Sequence, residues 1–301
     1  MSNLLGIKRT PLKILLTGIH GQVGFELQRS LQGLGELVAL DRSQLDLADL
    51  AQVREVVRSV QPGLIINPAA YTAVDKAESE KELAFRINAQ AVEVMAQEAQ
   101  RLRATMIHYS TDYVYDGSKQ GRYLESDATA PLGVYGASKL AGEDAIRASG
   151  IAHLIFRTSW VYGTRGKNFL LTMQRLLQER DELRVVADQV GAPTWSRSIA
   201  DATAHVLAQA RACEDSAAWW QQHSGVYHLT CQGETSWHGF TNAIMSHSQL
   251  SKPVTLTPIT SAEYPTPAKR PANSRLVCDK FQTSFCELPT WQTALALCVA
   301  K

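Results

Sequence analysis

The fold is decided by the stretch Leu12-Lys13-Ile14-Leu15-Leu16-Thr17-Gly18-Ile19-His20-Gly21-Gln22-Val23-Gly24. Its apolar run predicts a buried strand that ends at Gly18, and a helical pattern of apolar residues begins at Phe25. Strand, glycine turn and helix in this order are typical of a dinucleotide site, because the glycines let the backbone approach a pyrophosphate at the helix N-terminus. The alternative is a purely structural turn. Cofactor contacts are predicted from Gly18, His20, Gly21, Gln22 and Val23.

Apolar runs continue to alternate with helical patterns beyond this unit. Further strands are predicted at residues 37–40, 63–67, 105–109, 153–156 and 183–186. A βαβ series of this kind predicts a parallel sheet with helices on both faces. Asp49 is predicted to cap the helix between the second and third strands.

The regularity weakens after residue 186, where helical patterns mix with short strands near 225–229 and 254–256. We therefore predict an α/β fold: a Rossmann-type doubly wound parallel sheet with a smaller α/β substrate-binding lobe. Residues 1–160 would form mainly the dinucleotide-binding domain, with sheet elements continuing to about residue 225, and residues 161–301 mainly the lobe. Residues 1–10 are interpreted as a short tail before the first strand.

The end of the second predicted strand bears on the choice of cofactor. Asp41 lies about 20 residues after the glycines, where a carboxylate would hold the ribose hydroxyls of NADH. Arg42 follows, and its guanidinium would form charge-assisted bonds with the 2′-phosphate of NADPH. We predict a modest preference for NADPH, with NADH also used. Further cofactor contacts are predicted from the next loop and the end of the third strand, at Asp46, Leu47, Ala69, Ala70 and Tyr71.

The chemistry is predicted to depend on Tyr135 and Lys139, which lie four residues apart on one helix face. A free phenol has a pKa of about 10, and an ammonium one turn away would lower it. Such a pair suits proton exchange with a carbonyl oxygen. Thr111 directly follows the fourth strand and adds a hydroxyl donor at the same sheet edge. Solvated helix residues and an ordinary loop cap are the alternatives.

These motifs, in this order, resemble the extended short-chain dehydrogenase/reductase family. More closely, the chain resembles the dTDP-4-dehydrorhamnose reductases within that family, and the resemblance covers nearly its whole length. The YxxxK pair marks only the larger family, whereas the motifs of the second lobe are more specific. The runs that carry the resemblance are NPAAYTAVDKAE (67–78), STDYV (110–114), RTSWVY (157–162), NF (168–169), DQVGAPT (188–194) and PAKRP (267–271).

The resemblance implies NAD(P)H-dependent reduction of the C4 keto group of dTDP-4-dehydro-L-rhamnose to give dTDP-L-rhamnose. It implies that Tyr135 protonates the C4 oxygen, that Lys139 holds the nicotinamide ribose, and that Thr111 hydrogen-bonds the same oxygen. It also implies a substrate pocket formed by Tyr71, Asp112, Trp160, Gln189 and Arg270, the last facing the diphosphate. A non-catalytic regulatory subunit of the same fold and another nucleotide-sugar epimerase or reductase remain alternatives.

Composition limits the partners. The 301 residues are 45% hydrophobic and carry a formal net charge of +1, without a basic run for nucleic acid or an apolar run for a membrane span. The five cysteines lie in the last third without a CxxC pair, which indicates neither a disulfide framework nor a zinc site. We therefore expect a cytoplasmic enzyme with a small-molecule nucleotide-sugar substrate.

The resemblance also raises the question of a metal. Some family members pair through magnesium held by acidic side chains, and Glu26 could match one such ligand. Arg197 and Gln292, however, stand where the other ligands would be sought. We predict no metal, and either a monomer or a homodimer.

Overall fold

The computed structural model describes residues 11–300, so the predicted tail at residues 1–10 lies outside the described residues. In chain order the strands are β1 (Lys13–Leu16), β2 (Glu36–Ala39), β3 (Leu64–Asn67), β4 (Thr105–Thr111), β5 (His153–Thr158), β6 (Val161–Tyr162), β7 (Glu182–Val186), β8 (Val190–Gly191), β9 (Thr194–Trp195), β10 (Gly225–His228), β11 (Thr235–Ser236), β12 (Thr255–Ile259) and β13 (Asn273–Ser274).

The helices are α1 (Gln22–Ser30), α2 (Leu50–Val60), α3 (Val74–Ala77), α4 (Lys81–Phe85), α5 (Ala91–Leu102), α6 (Val134–Ser149), α7 (Phe169–Glu179), α8 (Ser196–Ala212), α9 (Ser216–Gln222), α10 (Trp237–Ser246), α11 (Asp279–Ser284) and α12 (Trp291–Val299). A π-helical segment, Arg86–Gln90, joins α4 to α5, and a 3₁₀ turn at Asp112–Val114 follows β4. The helical region between β3 and β4 is therefore divided into α3, α4 and α5.

The main sheet is parallel and has the strand order β10-β5-β4-β3-β1-β2. Successive residues of β1 point to opposite faces, so Ile14 and Leu16 pack with α8 while Leu15 packs with α2 and α5. Hydrophobic clusters thus cover both faces, as a parallel sheet requires. The predicted Rossmann-type α/β fold is confirmed.

The prediction for residues 183–186 is wrong in one respect. They form a strand, β7, but it pairs with β12 in a separate two-stranded sheet. The sixth strand of the main sheet is β10, which pairs with β5 and which the sequence pattern placed in the lobe. Both runs are short and apolar, and only the long connection through α8 and α9 brings β10 back to the sheet edge.

The smaller lobe is built from β6 to β9, β11 to β13 and the helices α7, α10 and α12. Its core packs Leu177 of α7 against Phe240 of α10 and Trp291 of α12. At the other end of the chain, Asp49 caps α2 as predicted, accepting hydrogen bonds from the amides of Ala51 and Gln52 at 3.0 Å. Within residues 11–300, no helix combines the length and apolar character needed to cross a bilayer.

Candidate active site

The glycine loop is shaped for close approach by a ligand. Gly18 has a φ of +60°, and a Cβ atom there would lie 2.8 Å from the Cβ of Ala69. A Cβ on Gly24 would collide with the Gly18 carbonyl. Gly21 caps α1 without a side-chain hydrogen bond, so the first amides of this helix keep their donors for an anion. The loop therefore fits a dinucleotide pyrophosphate, with Gly18, Gly21 and Ala69 in place.

Two other predicted residues of this loop make side-chain contacts of their own. Gln22 accepts a hydrogen bond from Asn168 at 3.0 Å, which ties the loop to the start of α7 in the lobe. His20 is exposed and places its Nε2 atom 3.2 Å from Asp41. Val23 packs against the main core cluster. Ala70 follows β3 at the same edge of the sheet and is partly exposed.

Asp41 is held by its own turn. Its Oδ1 atom accepts from the Ser43 amide at 2.7 Å and from the Ser43 hydroxyl at 2.6 Å. These hydrogen bonds lower the pKa of the Asp41 carboxyl. The Arg42 side chain extends into solvent, 77% exposed and 3.5 Å from Asp46. The carboxylate is thus fixed in the turn while the guanidinium is available for an added anion.

Leu47 lies away from this edge. Its side chain is buried in the hydrophobic cluster under α2 and α5, rather than exposed over a nucleotide. Any contact between Leu47 and an adenine would therefore have to come from its backbone.

The C-terminal end of β4 and the start of α6 bring the predicted catalytic residues together. The Thr111 hydroxyl hydrogen-bonds the Tyr135 phenol and also donates to Asp112 at 3.0 Å. Tyr135 keeps part of its surface exposed, as a group that meets a substrate must. Lys139 follows one turn later and is buried. The Thr111 hydroxyl and the Tyr135 phenol therefore meet at this edge of the sheet, and Lys139 lies one helical turn away.

The expected effect of Lys139 on the phenol is wrong. Burial raises the pKa of Tyr135; the hydrogen bond with Thr111 lowers it and the charge of Asp112 raises it. The Lys139 amine is turned to the sheet, where its Nζ atom lies 3.0 Å from the Nε2 atom of His108. A raised phenol pKa keeps the proton on Tyr135 at neutral pH, which suits a proton donor.

Asp112 is buried, and one of its two carboxylate oxygens lacks a well-aligned hydrogen-bond donor among the described residues. Only 3% of the residue is exposed, and its Oδ2 atom forms no well-aligned hydrogen bond within residues 11–300. Burial raises the pKa of Asp112 to about 6, against hydrogen bonds from Ser274 and Thr111 that lower it. A buried acceptor without a partner is costly, so this oxygen marks a place for a ligand hydroxyl.

Trp160 stacks on Trp237, a residue that the sequence analysis did not identify. Its indole stacks on that of Trp237 with ring centroids 3.6 Å apart and planes 11° from parallel. Gly191 makes room for the ring, because a Cβ there would lie 2.7 Å from the Trp160 Cε2 atom. Trp160 has a φ of +49°, a strained conformation for a bulky residue that is typical of functional sites.

Gln189 contacts this pair of tryptophans through Trp237. Its Oε1 atom accepts from the Trp237 indole at 3.1 Å, and its Nε2 atom donates to Ser261 at 3.0 Å. Both ends of the amide are thus engaged, and the side chain is buried. Gln189 therefore fixes the orientation of the Trp237 indole.

Arg270 is brought to the same edge from the lobe. Its guanidinium donates to Asp75 at 2.8 Å, and it also hydrogen-bonds the phenol of Tyr113. Tyr113 packs edge-on against Tyr135 with ring centroids 5.5 Å apart. Arg270 is 30% exposed on its side chain, so the remaining donors of its fork are free to meet a ligand anion.

Tyr71 is fixed from two sides. Its phenol donates to Glu80 at 2.6 Å, a hydrogen bond that raises its pKa to about 12. Its backbone pairs with the side chain of Asn88 at 2.8 and 3.1 Å. Asn88 lies in the π-helical segment and also donates to Ser138, the neighbour of Lys139. The Tyr71 backbone, together with Ala69, thus borders the glycine loop while its ring points to Glu80.

The residues considered for a metal lie on α1, α8 and α12. Glu26 is buried, and the Arg197 guanidinium lies 3.8 Å from its carboxylate. Arg197 also pairs with Asp201 at 3.4 Å. Among residues 11–300 no group of three or more His, Cys, Asp or Glu side chains is arranged to hold a metal ion. Gln292 lies in the first turn of α12, and none of the five cysteines within residues 11–300 forms a disulfide.

Four residues of this site carry no role in the sequence analysis: His108, Asp75, Asn88 and Trp237. Asp75 lies within the quoted run at 67–78, where its charge next to an exposed loop was the available signal. Asn88, Trp237 and His108 lie inside ordinary helix and strand patterns. Only the packing of distant segments reveals them.

Comparison with known proteins identifies relatives along the whole chain. A family model described as RmlD substrate binding domain matches residues 12–301. The dTDP-4-dehydrorhamnose reductase of Burkholderia thailandensis is 48% identical over 295 residues, covering 96% of this chain and 98% of the relative. The protein of that name from Escherichia coli K12 is 47% identical over 296 residues, covering 94% and 96%.

Solved structures give the same picture. The dTDP-4-dehydrorhamnose reductase of Bacillus anthracis str. Ames, in complex with NADP, has a TM-score of 0.87 and is 34% identical, covering 96% of this chain and 98% of that one. The Thermus thermophilus UDP-glucose 4-epimerase in complex with NAD has a TM-score of 0.78 at 18% identity, covering 95% and 97%. The second likeness is one of fold alone.

Proposed function

We infer that this chain, which belongs to the RmlD substrate-binding-domain family, is an NAD(P)H-dependent dTDP-4-dehydrorhamnose reductase. It reduces the C4 keto group in the synthesis of dTDP-L-rhamnose. The observation that carries the assignment of residues is the hydrogen bond between Thr111 and Tyr135, with Lys139 one helical turn later, on a fold whose glycine loop fits a dinucleotide. All three groups would be idle in a regulatory subunit.

The cofactor, when bound against the glycine loop, supplies the hydride. Tyr135 gives its phenolic proton to the C4 oxygen, and Thr111 holds that oxygen by a hydrogen bond. The unpartnered Oδ2 atom of Asp112 accepts from a sugar hydroxyl. Arg270 binds the diphosphate with the guanidinium N–H groups not engaged by Asp75. The same proposal assigns cofactor binding mainly to residues 1–160 and substrate binding mainly to residues 161–301.

The assay that tests this function follows NADPH absorbance in the presence of dTDP-4-dehydro-L-rhamnose. A reductase consumes one NADPH for each sugar reduced. A regulatory subunit binds without consuming NADPH, and an epimerase returns its cofactor to the starting state. Absence of NADPH consumption by well-folded protein would reject the assignment.

Trp160→Ala should spare NADPH affinity and raise the KM for the sugar. A ring stacked on Trp237 at the mouth of the lobe would wall the substrate, and its removal opens the pocket to water. Trp160→Gly serves as the matched variant, because glycine adopts the φ of +49° without strain. It should lose the same sugar affinity but melt higher than Trp160→Ala. A large drop in melting temperature with unchanged kinetics would instead assign Trp160 to the core.

Arg42→Ala should raise the KM for NADPH roughly tenfold, since one hydrogen bond to a charged group contributes about 1.5 kcal/mol. The KM for NADH should stay nearly unchanged, because NADH lacks the 2′-phosphate. Arg175→Ala is the control, as Arg175 is also exposed and also pairs with a carboxylate four residues on, Glu179. Equal responses to both cofactors, or none, would make Arg42 a solvated surface residue.

We also propose that the protein is cytoplasmic and that it is either a monomer or a homodimer. Cysteines that form no disulfide within residues 11–300 support a reducing compartment. The pairing of Glu26 with Arg197 supports an oligomeric state that needs no metal at this place. Sedimentation with and without a chelator would test this, since a chelator-sensitive dimer would contradict it.

A further inference from the structure

A line of buried polar side chains crosses the sheet from β1 to α6. It consists of Thr17, Asn67, His108 and Lys139, each at most 2% exposed. The Thr17 hydroxyl lies 2.6 Å from Asn67 Oδ1, Asn67 Nδ2 lies 3.2 Å from His108 Nδ1, and His108 Nε2 lies 3.0 Å from Lys139 Nζ. The first three residues stand at neighbouring strand positions, since Asn67 pairs in register with His108. The line ends on the amine of the proposed catalytic set.

The hydrogen bonds at the start of this line have a direction. The amide of Ala69 donates to the Thr17 oxygen at 3.4 Å, so the Thr17 proton is free to point at Asn67. A separation of 2.6 Å suits O–H···O better than N–H···O, which fixes the Asn67 oxygen toward Thr17. The amide nitrogen of Asn67 therefore faces His108. Because that nitrogen only donates, His108 Nδ1 must accept.

This direction decides the tautomer of His108. Burial, the largest cause, lowers the pKa of His108 well below its usual value, so the ring is neutral and carries one proton whichever form Lys139 takes. With Nδ1 as acceptor, the proton is on Nε2, the atom that faces Lys139. An ammonium has three donors and no acceptor. An N–H group of a charged Lys139 would therefore face the Nε2–H group of His108 with no acceptor between them. A neutral amine accepts from His108 and completes the line.

We propose that His108 favours the neutral form of the Lys139 amine against the sheet, and that NADPH binding draws solvent protons onto the neutral fraction of Lys139 as this amine turns to the cofactor. His108 is then a positioning residue that couples cofactor binding to protonation. The proposal rests on the function inferred above only in taking NADPH as the ligand. The nicotinamide ribose oxygens accept hydrogen bonds, so they favour the ammonium form that His108 disfavours.

The charged groups around Lys139 agree with this coupling. Burial lowers the pKa of Lys139 to about 8, and the charge of Glu143 raises it. Glu143 is itself engaged by Arg157 from β5, with 2.6 Å between Nη2 and Oε2, so it is not free to pair with the amine. Asp112, beyond β4, acts on the phenol of Tyr135. Near pH 8 the amine is therefore poised between its two forms.

Calorimetry of NADPH binding in buffers of different ionisation enthalpy measures the proton uptake. At pH 8 the protein should take up about half a proton per NADPH, and at pH 6.5 less than about a tenth, as a group with this pKa requires. NADH is titrated in parallel, because its lack of a 2′-phosphate removes that group's own titration. Equal uptake with both cofactors assigns the proton to the protein.

Two variants and a matched control locate the proton. Thr17→Val frees Asn67 to turn its oxygen to His108, so that the proton moves to Nδ1 and Nε2 can accept from a charged Lys139. Proton uptake at pH 8 should then fall roughly twofold or more. His108→Gln offers an amide oxygen to the ammonium and should have the same effect. Thr203→Val removes another buried threonine hydroxyl, bonded to Tyr109 on the opposite face, and should leave uptake unchanged.

Uptake that is absent from the wild-type protein, or unchanged in both variants, would overturn the proposal. Nitrogen-15 NMR of the wild-type protein tests it without any variant, since His108 should stay neutral with its proton on Nε2 from pH 6 to 9. A proton on Nδ1 would also overturn it. NADPH binding without proton uptake refutes this coupling alone, whereas failure to bind NADPH refutes the proposed function.

Discussion

Tyr135→Phe is expected to lower kcat by roughly 10²–10⁴-fold, the usual cost of losing a positioned general acid. The variant removes only the transferable proton and keeps the ring, which packs edge-on against Tyr113. NADPH affinity should therefore change little. Steady-state kinetics with saturating NADPH and a direct binding titration separate the two quantities.

Tyr109→Phe is the matched control for this variant. Tyr109 also lies on β4 and is buried, but its hydroxyl bonds Thr203 on the sheet face away from α6. Its loss should change stability slightly and leave kcat unchanged. A Tyr135→Phe enzyme with near-normal kcat would remove Tyr135 from the mechanism.

Arg157→Met should cost about 3–5 kcal/mol in the free energy of unfolding, because it leaves a buried carboxylate without its partner. Arg157 and Glu143 are at most 1% exposed. The guanidinium donates to Glu143 at 2.6 Å and to the phenol of Tyr115 at 2.7 Å. Urea denaturation followed by fluorescence measures the loss.

The double variant Arg157→Met with Glu143→Leu should recover much of this stability, since no buried charge then remains unpaired. Arg175→Met breaks the exposed pair with Glu179 and should cost less than about 0.5 kcal/mol. A single variant as stable as the wild-type protein would show that water reaches Glu143.

Local sequence was sufficient where neighbouring residues determine the structure. The glycine loop needs only a strand before it and a helix after it, and Asp49 caps α2 through amides two and three residues away. Thr111 and Tyr135 could be paired because β4 and α6 are consecutive elements that meet at one sheet edge. For such features the chain carries the relevant chemistry within a few residues.

Pairing between distant segments could not be read in this way. The partner of β7 is β12, about 70 residues later. The five residues of β7 alone do not indicate which strand they pair with. Trp237 reaches Trp160 across the lobe, and His108 resembles any buried strand residue until Asn67 and Lys139 are placed beside it. The lowered phenol pKa was wrong for the same reason, since His108 engages the Lys139 amine.

Reductase activity is tested most directly with NADPH that carries deuterium at both C4 positions of the nicotinamide, with dTDP-4-dehydro-L-rhamnose as substrate. The expected product is dTDP-L-rhamnose with one deuterium at sugar C4 for each NADPH oxidised. Mass spectrometry and proton NMR of the product locate the label. A sugar returned without deuterium, whether unchanged or with altered stereochemistry, would contradict a reductase.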